Sequence, residues 1–469
     1  MNLFLIFFLA IFLAGCRVGP VYEPPQTDIH CEWATPLPEN LTDSPSDSFI
    51  WWESFQDPIL NSLISRAASQ NLDLRTAALR ILETRLEKQD KQFAIYPRID
   101  FSANYDHLRY GKKTIDQTVL GCRQELKRSL NLFEIGFDAT WEIDFFGLAA
   151  HEVEALKALE ESAEYNLHAI WATLSAEIAK NYIDLRSLQQ QLKLLDQRID
   201  LYNHSLCLVR QLNRAGIQSA IDLNQSAITL ETLQAQRPLL ALDISKAINH
   251  LSILLGCMPG SLNAEFIDFC ALPSLLSQTP IGTPSQLLRR RPDIRKAERE
   301  LAAATERVGS AIAALFPRFS LNGFAGNVST QAGHLLDPAS FVLLAGPQLS
   351  IPIFNSKLII QDVNYNKIQT KKALYGYQNT VLKAVEETEN SIASYDFEHV
   401  RHQHLADSCA VSQKNLNLNQ ELYKRGLVDQ LTVLKYREAA LLVESALLQS
   451  QTTLLLHYIS LYKALGGHW

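Results

Sequence analysis

The sequence predicts an α+β membrane channel in which half of the chain is duplicated. Three observations support this prediction: a long internal repeat, unusually long segments of period two, and a heptad pattern. "AIYPRIDFSANY" begins at Ala94 and "ALFPRFSLNGFAG" begins at Ala314, 220 residues further on, while the turns around Gly216 and Gly426 are 210 residues apart. A period of this length indicates a duplicated domain-sized half and not a solenoid of short units.

The period-two segments predict four long antiparallel transmembrane β-strands per chain. From Phe133 to Phe145 the odd positions are apolar or aromatic, and the even positions are mostly acidic or small. A strand with lipid on one face and water on the other requires this alternation, whereas a strand of a soluble sheet is usually only five or six residues long. We expect the other strands to begin at Arg98, at Phe319 and at Leu343, the last running to Ile353.

The heptad pattern predicts long helices that supercoil against a neighbour. Its apolar positions alternate in steps of three and four: Leu185, Leu188, Leu192, Leu195, Ile199, Tyr202, Leu206 and Val209. The core stripe of an ordinary helix is the alternative. Gly216 follows Arg214 and Gly426 follows Lys424, each between two helical patterns. Each glycine is therefore expected at the left-handed C-cap of a helix-turn-helix tip. We expect Pro238 to kink the returning helix.

The chain begins with an apolar stretch, residues 1–15, that is typical of a signal peptide. Leu13-Ala14-Gly15-Cys16 resembles the lipobox of bacterial lipoproteins, which predicts that Cys16 is lipidated. The predicted organisation continues with a lipidated tail (16–60), a first repeat of helix, β-hairpin and helical hairpin (61–256), a linker (257–285), a second such repeat (286–465) and a C-terminal tail (466–469).

Composition and motifs exclude several classes of function. A net charge of −7 and a pI near 6.0 argue against a general nucleic-acid binder. "RRRPDIR" from Arg289 is interpreted as a solvated helix start with Pro292 in the first turn. The sequence has no hydrolase, metalloprotease or phosphate-loop motif, so we expect neither an enzyme nor a cofactor or metal site. Cys257 and Cys270 could pair, whereas Cys207 and Cys409 are expected to be unpaired packing residues.

Several longer segments resemble a known family. "VGPVYEPP" after Cys16, "WWESFQDPILNSLI", "LLRRRPDIRKAERELAAATERVGSAIAALFPRFSLNGFAG", "GPQLSIPIF" and "LYKALGGHW" are similar to the TolC-like outer-membrane channel components of tripartite efflux pumps, in their NodT-like lipoprotein branch. The resemblance implies a homotrimer with one twelve-stranded barrel in the outer membrane and a periplasmic α-helical barrel. It also implies a periplasmic adaptor and an inner-membrane transporter as partners, and export of small molecules.

Two other functions stay open at this point: an outlet for type I protein secretion, and a lipoprotein coiled-coil scaffold without a pore. Under the family resemblance, the tips at Arg214 and Gly216 and at Lys424 and Gly426 are the expected adaptor-docking sites. Tight turns without a docking role are the alternative. Members of the family often carry aspartates six and nine residues after the second tip glycine, where this chain has Thr432 and Lys435; the first tip has Asp222 at the six-residue position. These three residues are the candidate gate, which we expect to be held by mixed charges. The alternative is that Lys435 points outward as an ordinary solvated charge.

Overall fold

A computed structural model describes residues 17–26, 33–36, 41–42, 50–109, 129–268, 270–274, 279–280 and 283–467. Its eight α-helices within these ranges are α1 (Pro58–Gln70), α2 (Leu72–Phe93), α3 (Leu148–Arg214), α4 (Ala220–Leu254), α5 (Pro284–Arg290), α6 (Pro292–Ala313), α7 (Ser356–Lys424) and α8 (Gln430–Ala464). The long strands are β1 (Arg98–Arg109), β2 (Ser129–Ile143), β3 (Arg318–Ser329) and β4 (Phe341–Ser350). Helix, strand pair and helical hairpin thus follow one another twice along the chain.

The four strands form one antiparallel sheet in the order β1-β2-β3-β4. The odd-numbered residues of β1 and β2 lie on one face, where Phe101 is opposite Phe137 and Tyr105 is opposite Phe133. Their rings are in contact, with centroids 5.4 and 4.9 Å apart. The even-numbered residues of β2 put carboxylates on the other face, so the predicted division into an aromatic and an acidic face is present in the sheet.

Strand β4 differs from its expected bounds. It begins at Phe341 and ends at Ser350, whereas the sequence pattern predicted Leu343 to Ile353. Pro352 has no backbone N–H to donate to a ladder, which explains the earlier end. The segment between β1 and β2, residues 110–128, lies outside the described residues, and the loop between β3 and β4 contains two short 3₁₀ turns.

Two compact units combine segments of both repeats. One comprises residues 1–25, 81–162 and 297–377, and the other comprises residues 26–80, 163–296 and 378–469. In the second unit Trp51 stacks on Tyr462 with ring centroids 6.2 Å apart, and Phe55 contacts the ring of Tyr458 edge-on. Arg186 is 1% exposed and lies over the rings of Tyr182 and Phe266.

The long helices follow the heptad prediction. Leu185, Leu195 and Val209 of α3 are buried, and the other positions of the seam are half-buried. Helix α4 continues through Pro238 without ending. Among the described helices, α8 alone is long and apolar enough to cross a membrane by length and composition. Its residues Tyr458, Ile459 and Leu461, near the C-terminal end, are fully buried in the core.

Each repeat has an equivalent joint, in which a side chain from the start of the repeat bonds the carbonyl at the end of its last helix. In the first repeat the Asn71 side-chain amide donates to the Leu254 carbonyl over 2.9 Å; in the second, Arg291 Nη1 donates to the Ala464 carbonyl over 2.9 Å. Gly256 and Gly466 follow these helix ends with φ of +70° and +104°. A Cβ on Gly256 would lie 2.6 Å from the Gln70 carbonyl oxygen, so glycine is required at this joint by space as well as by φ.

The interpretation of "RRRPDIR" as a solvated helix start is wrong for Arg291. Helix α6 does begin at Pro292, and Arg289 is exposed, but the Arg291 side chain is only 9% exposed. Its guanidinium forms ion pairs with Asp293 over 2.7 Å and Glu387 over 2.8 Å. Burial opposes the charge, but the hydrogen bonds that the guanidinium donates to Asp293 and Glu387 outweigh it, so the net effect raises the pKa of Arg291.

The suggested Cys257–Cys270 pair is not present, because both cysteines are free. Cys257 instead points its thiol toward Gln70 and the Leu255 carbonyl, at the joint just described. Cys207 and Cys409 are free as expected, but Cys207 is exposed on α3 and does not pack in the core.

We predict that Gly326→Val destabilises the sheet by at least about 2 kcal/mol, because a Cβ there would lie 2.3 Å from the Ile135 carbonyl oxygen and 2.5 Å from Gly136 Cα. Gly323→Val on the same strand is the control, since its nearest neighbour would be the Leu344 carbonyl oxygen at 3.4 Å. Thermal melting of the β-sheet circular dichroism signal in detergent measures both. Equal melting temperatures for the two variants would contradict the close approach.

We predict that Arg291→Leu lowers stability by about 2–3 kcal/mol, because it removes a charge-assisted donor from the buried Ala464 carbonyl. Arg289→Leu is the matched control, since Arg289 is exposed on the same short segment. Denaturant midpoints followed by helical circular dichroism compare the two. A loss in Arg289→Leu as large as that in Arg291→Leu would show that the joint adds no specific stability.

Candidate functional site: the two helix tips

The two helical hairpins end in tips with the same backbone geometry. We use first tip for residues 214–223 and second tip for residues 424–433. Gly216 has φ +76° and Gly426 has φ +73°, as the sequence predicted. In the first tip the Ile217 N–H donates to the Leu212 carbonyl over 2.9 Å; in the second, the Leu427 N–H donates to Leu422 over 3.0 Å. This six-to-one bond is the Schellman motif.

The helix after each tip begins with a capping pair of side chains, one hydroxyl and one carboxylate, and the two repeats place them in opposite order. In the first tip Ser219 is the N-cap, and its hydroxyl donates to the Asp222 carboxylate over 2.8 Å while accepting from the Asp222 N–H. In the second tip Asp429 is the N-cap and accepts from the Thr432 N–H over 2.9 Å. The hydroxyl is thus at the N-cap and the carboxylate at the third helical position in the first tip, whereas the second tip has the carboxylate at the N-cap and the hydroxyl at the third position.

This exchange accounts for one departure from the family pattern. Asp222 and Thr432 are 210 residues apart and hold the same position of the cap. The carboxylate of the second tip is at Asp429, where hydrogen bonds from the Thr432 hydroxyl and backbone lower the pKa of the acid. The sequence contained this signal as a Ser-x-x-Asp and an Asp-x-x-Thr pattern, which the sequence analysis did not use.

Charged residues flank both tip glycines. Arg214 and Lys424 are the last residues of α3 and α7, where a cation is favourable at the helix C-terminus. Lys424 also forms an exposed ion pair with Glu421 over 2.7 Å, and this hydrogen bond lowers the pKa of Glu421. Lys435 is exposed on the second turn of α8, and no ion pair of Lys435 is found in the described part of the chain.

Apolar side chains at the tips were missed by the sequence analysis. Ile217 is 71% exposed and Ile221 is 78% exposed on the first tip, and Leu427 is 68% exposed on the second. Ile217 and Leu427 each follow the tip glycine, at the same repeat distance of 210 residues. The two tips therefore expose an apolar side chain at equivalent places.

The sheet offers a second candidate surface. Glu134, Asp138 and Glu142 lie on one face of β2, at every fourth residue of the strand. No group of side chains with the composition of a metal site is found among the described residues. Cys16, the predicted lipidation site, lies outside the described residues.

Comparison with known proteins identifies the relatives of this chain. The probable efflux pump outer membrane protein TtgC of Pseudomonas putida is 28% identical over 468 residues, covering 98% of this chain and 94% of TtgC. Nodulation protein T of Rhizobium leguminosarum bv. trifolii is 26% identical over 446 residues, covering 94% and 92%. The solved outer-membrane channel OprN superposes with a TM-score of 0.87 at 30% identity, covering 97% of this chain and 100% of OprN.

The family resemblance, the outer-membrane localisation and the α+β channel fold are confirmed by these relatives. The family model for outer membrane efflux proteins matches residues 63–257 and 283–467, one match for each repeat. The chain therefore belongs to the outer membrane efflux protein family.

Proposed function

We propose that this protein is the exit duct of a tripartite efflux pump, working as a homotrimer with a periplasmic adaptor and an inner-membrane transporter. The observation that supports a duct most directly is the division of the sheet into two faces. Aromatic residues such as Phe101 and Phe137 lie on one face, and carboxylates such as Asp138 lie on the other. A strand between lipid and a water-filled lumen needs such a division, whereas a coiled-coil scaffold without a pore does not.

The edges of the sheet support an oligomer. In the described part of the chain β1 pairs only with β2, and β4 pairs only with β3, so each has one open edge. Lipid cannot bond the exposed backbone groups, and β1 of one copy joined to β4 of the next would satisfy both. Three copies would give twelve strands, the number implied by the family resemblance.

An unpartnered helical stripe also supports the oligomer. Leu72, Leu79, Leu86 and Phe93 of α2 recur every seven residues, and each is more than 60% exposed. A heptad of large apolar residues at this exposure is typical of a seam that packs on another helix. We infer that a second copy of the chain packs on this stripe, because the open strand edges also call for a second copy.

We propose that Cys16 carries a lipid and that the residues after it are fixed to the protein. Arg17 Nη2 lies 2.5 Å from a Glu306 carboxylate oxygen, and the buried His151 ring lies 2.6 Å from the same oxygen. The other ring nitrogen of His151 is 2.9 Å from the Val18 carbonyl oxygen. These bonds attach residues 17 and 18, which directly follow the proposed lipid anchor, to His151 and Glu306.

The tips are the proposed docking site of the adaptor. Ile217 and Leu427 are exposed beside glycines whose open backbone leaves room for a partner helix. Apart from each glycine and its two chain neighbours, no described residue has an atom within 4 Å of a Cβ built on Gly216 or Gly426. Apolar anchors of this kind fit the grooves between helices of a partner.

We expect purified protein in a planar bilayer to conduct, and Lys435→Asp to shift its ion preference toward cations, because three added carboxylates would replace three ammonium groups near the axis. Asp222→Ala is the second variant. It also weakens the cap of α4, so its melting temperature is measured alongside its conductance. Absence of wild-type conductance would favour the scaffold, and unchanged conductance and ion preference in both variants would remove Asp222 and Lys435 from the gate.

We expect Gly426→Val to reduce adaptor crosslinking and export strongly, because a β-branched residue is strained at φ +73° and would change the shape of the second tip. Gly333→Val is the matched control, since its Cβ also meets open space and its φ is not positive. Leu427→Ser tests the side chain without backbone strain. Normal crosslinking and export in both tip variants would show that the second tip does not bind the adaptor.

A further inference from the structure

One row of side chains crosses all four strands on the acidic face of the sheet. Asp100 pairs with Asp138, Asp138 with Phe324, and Phe324 with Leu344. Side chains of directly opposite residues lie on the same face, with Cβ atoms about 5 Å apart. The row therefore runs from two carboxylates through an aromatic ring to an aliphatic side chain over about 15 Å.

The ring of Phe324 is held in place by two glycines. Gly136 and Gly326 are directly paired, and a Cβ on either would lie 2.8 Å from a ring atom of Phe324. The ring thus covers bare backbone with one side and remains only half-buried. Leu344, its neighbour on β4, is 62% exposed. The acidic face of the sheet consequently has a fixed apolar area beside its carboxylates.

The carboxylate next to this area is that of Asp138. Asp138 accepts a hydrogen bond from the Ser102 hydroxyl and, in the part of the chain that the structure describes, forms no ion pair. Asp100, by contrast, is paired with Arg98 over 2.7 Å. Glu134 and Glu142 flank Asp138 along the same face of β2. A bound positive charge would be attracted to this place and an anion would be repelled.

We propose that the row Asp138–Phe324–Leu344 is a binding site for organic cations that carry an apolar body. The site rests on the proposed function, which makes this face of the sheet the lining of the duct. The cationic centre lies between the Asp138 carboxylate and the free side of the Phe324 ring, where ring and carboxylate attract it together. The apolar body lies on Leu344 and loses water there.

The site makes the lumen selective without closing it. A small hydrophilic cation would gain the attraction of Asp138 but no apolar contact, and an aromatic anion would gain the apolar contact but be repelled. Only a molecule with both features gains from both parts of the row. Such a site would slow the passage of amphipathic cations and retain them briefly in the barrel.

The test is block of the open channel in planar bilayers by tetraphenylphosphonium, with tetramethylammonium and benzoate as probes that lack the apolar body or the positive charge. We expect tetraphenylphosphonium to block at the lowest concentration. Asp138→Asn, which keeps the shape of the side chain, and Phe324→Leu, which keeps an apolar cover on the glycines, should each raise the blocking concentration about 3–10-fold. Asp106→Asn is the control, since it removes a carboxylate of β1 that lies opposite Leu132 and outside the row.

The possible outcomes distinguish a failure of the proposed site from a failure of the proposed duct. A wild-type protein that does not conduct would overturn the proposed function. A conducting wild type that is blocked equally in Asp138→Asn, Phe324→Leu and Asp106→Asn would overturn the site alone, as would block by benzoate at the same concentration as tetraphenylphosphonium. Weaker block in the two row variants, at unchanged conductance and with an unaffected Asp106→Asn, would support the site.

Discussion

The backbone of the β-sheet imposes the constraint on which the other features depend. In lipid each N–H and C=O must find a partner, and a sheet of four strands leaves one open edge on β1 and one on β4. The closure between copies that we propose follows from this requirement, and closure in turn gives the acidic face of β2 a lumen to line. Gly136 and Gly326 leave bare backbone on that face, and the ring of Phe324 lies over it.

The duplicated halves keep their geometry while their side chains change. Asn71 and Arg291 bond the carbonyl that ends the last helix of their own repeat, and a glycine of positive φ follows that carbonyl in both. Asn71 does this with a neutral amide, whereas Arg291 needs Glu387 to balance its buried charge. The hydrogen bond and the turn are retained because they join the helix ends, and either donor satisfies the carbonyl.

The tips follow the same rule. Their Schellman bonds and left-handed glycines are identical in kind, whereas the cap residues exchange hydroxyl and carboxylate between Ser219–Asp222 and Asp429–Thr432. Local capping thus determines where an acidic group is found on each tip. The charge presented by the tips is a consequence of helix capping as well as a candidate for gating, and Lys435 is the one candidate gate residue that takes no part in a cap.

The sequence by itself determined the order of strands and helices, the duplication, and the tip glycines, because periodicity, capping and turn chemistry act over a few residues. Only the tertiary structure decided that Arg291 is buried, since its partners Glu387 and Ala464 are 96 and 173 residues away. It also decided the register that sets Asp138 beside Phe324, because pairing between distant strands depends on the whole sheet and no short pattern encodes it.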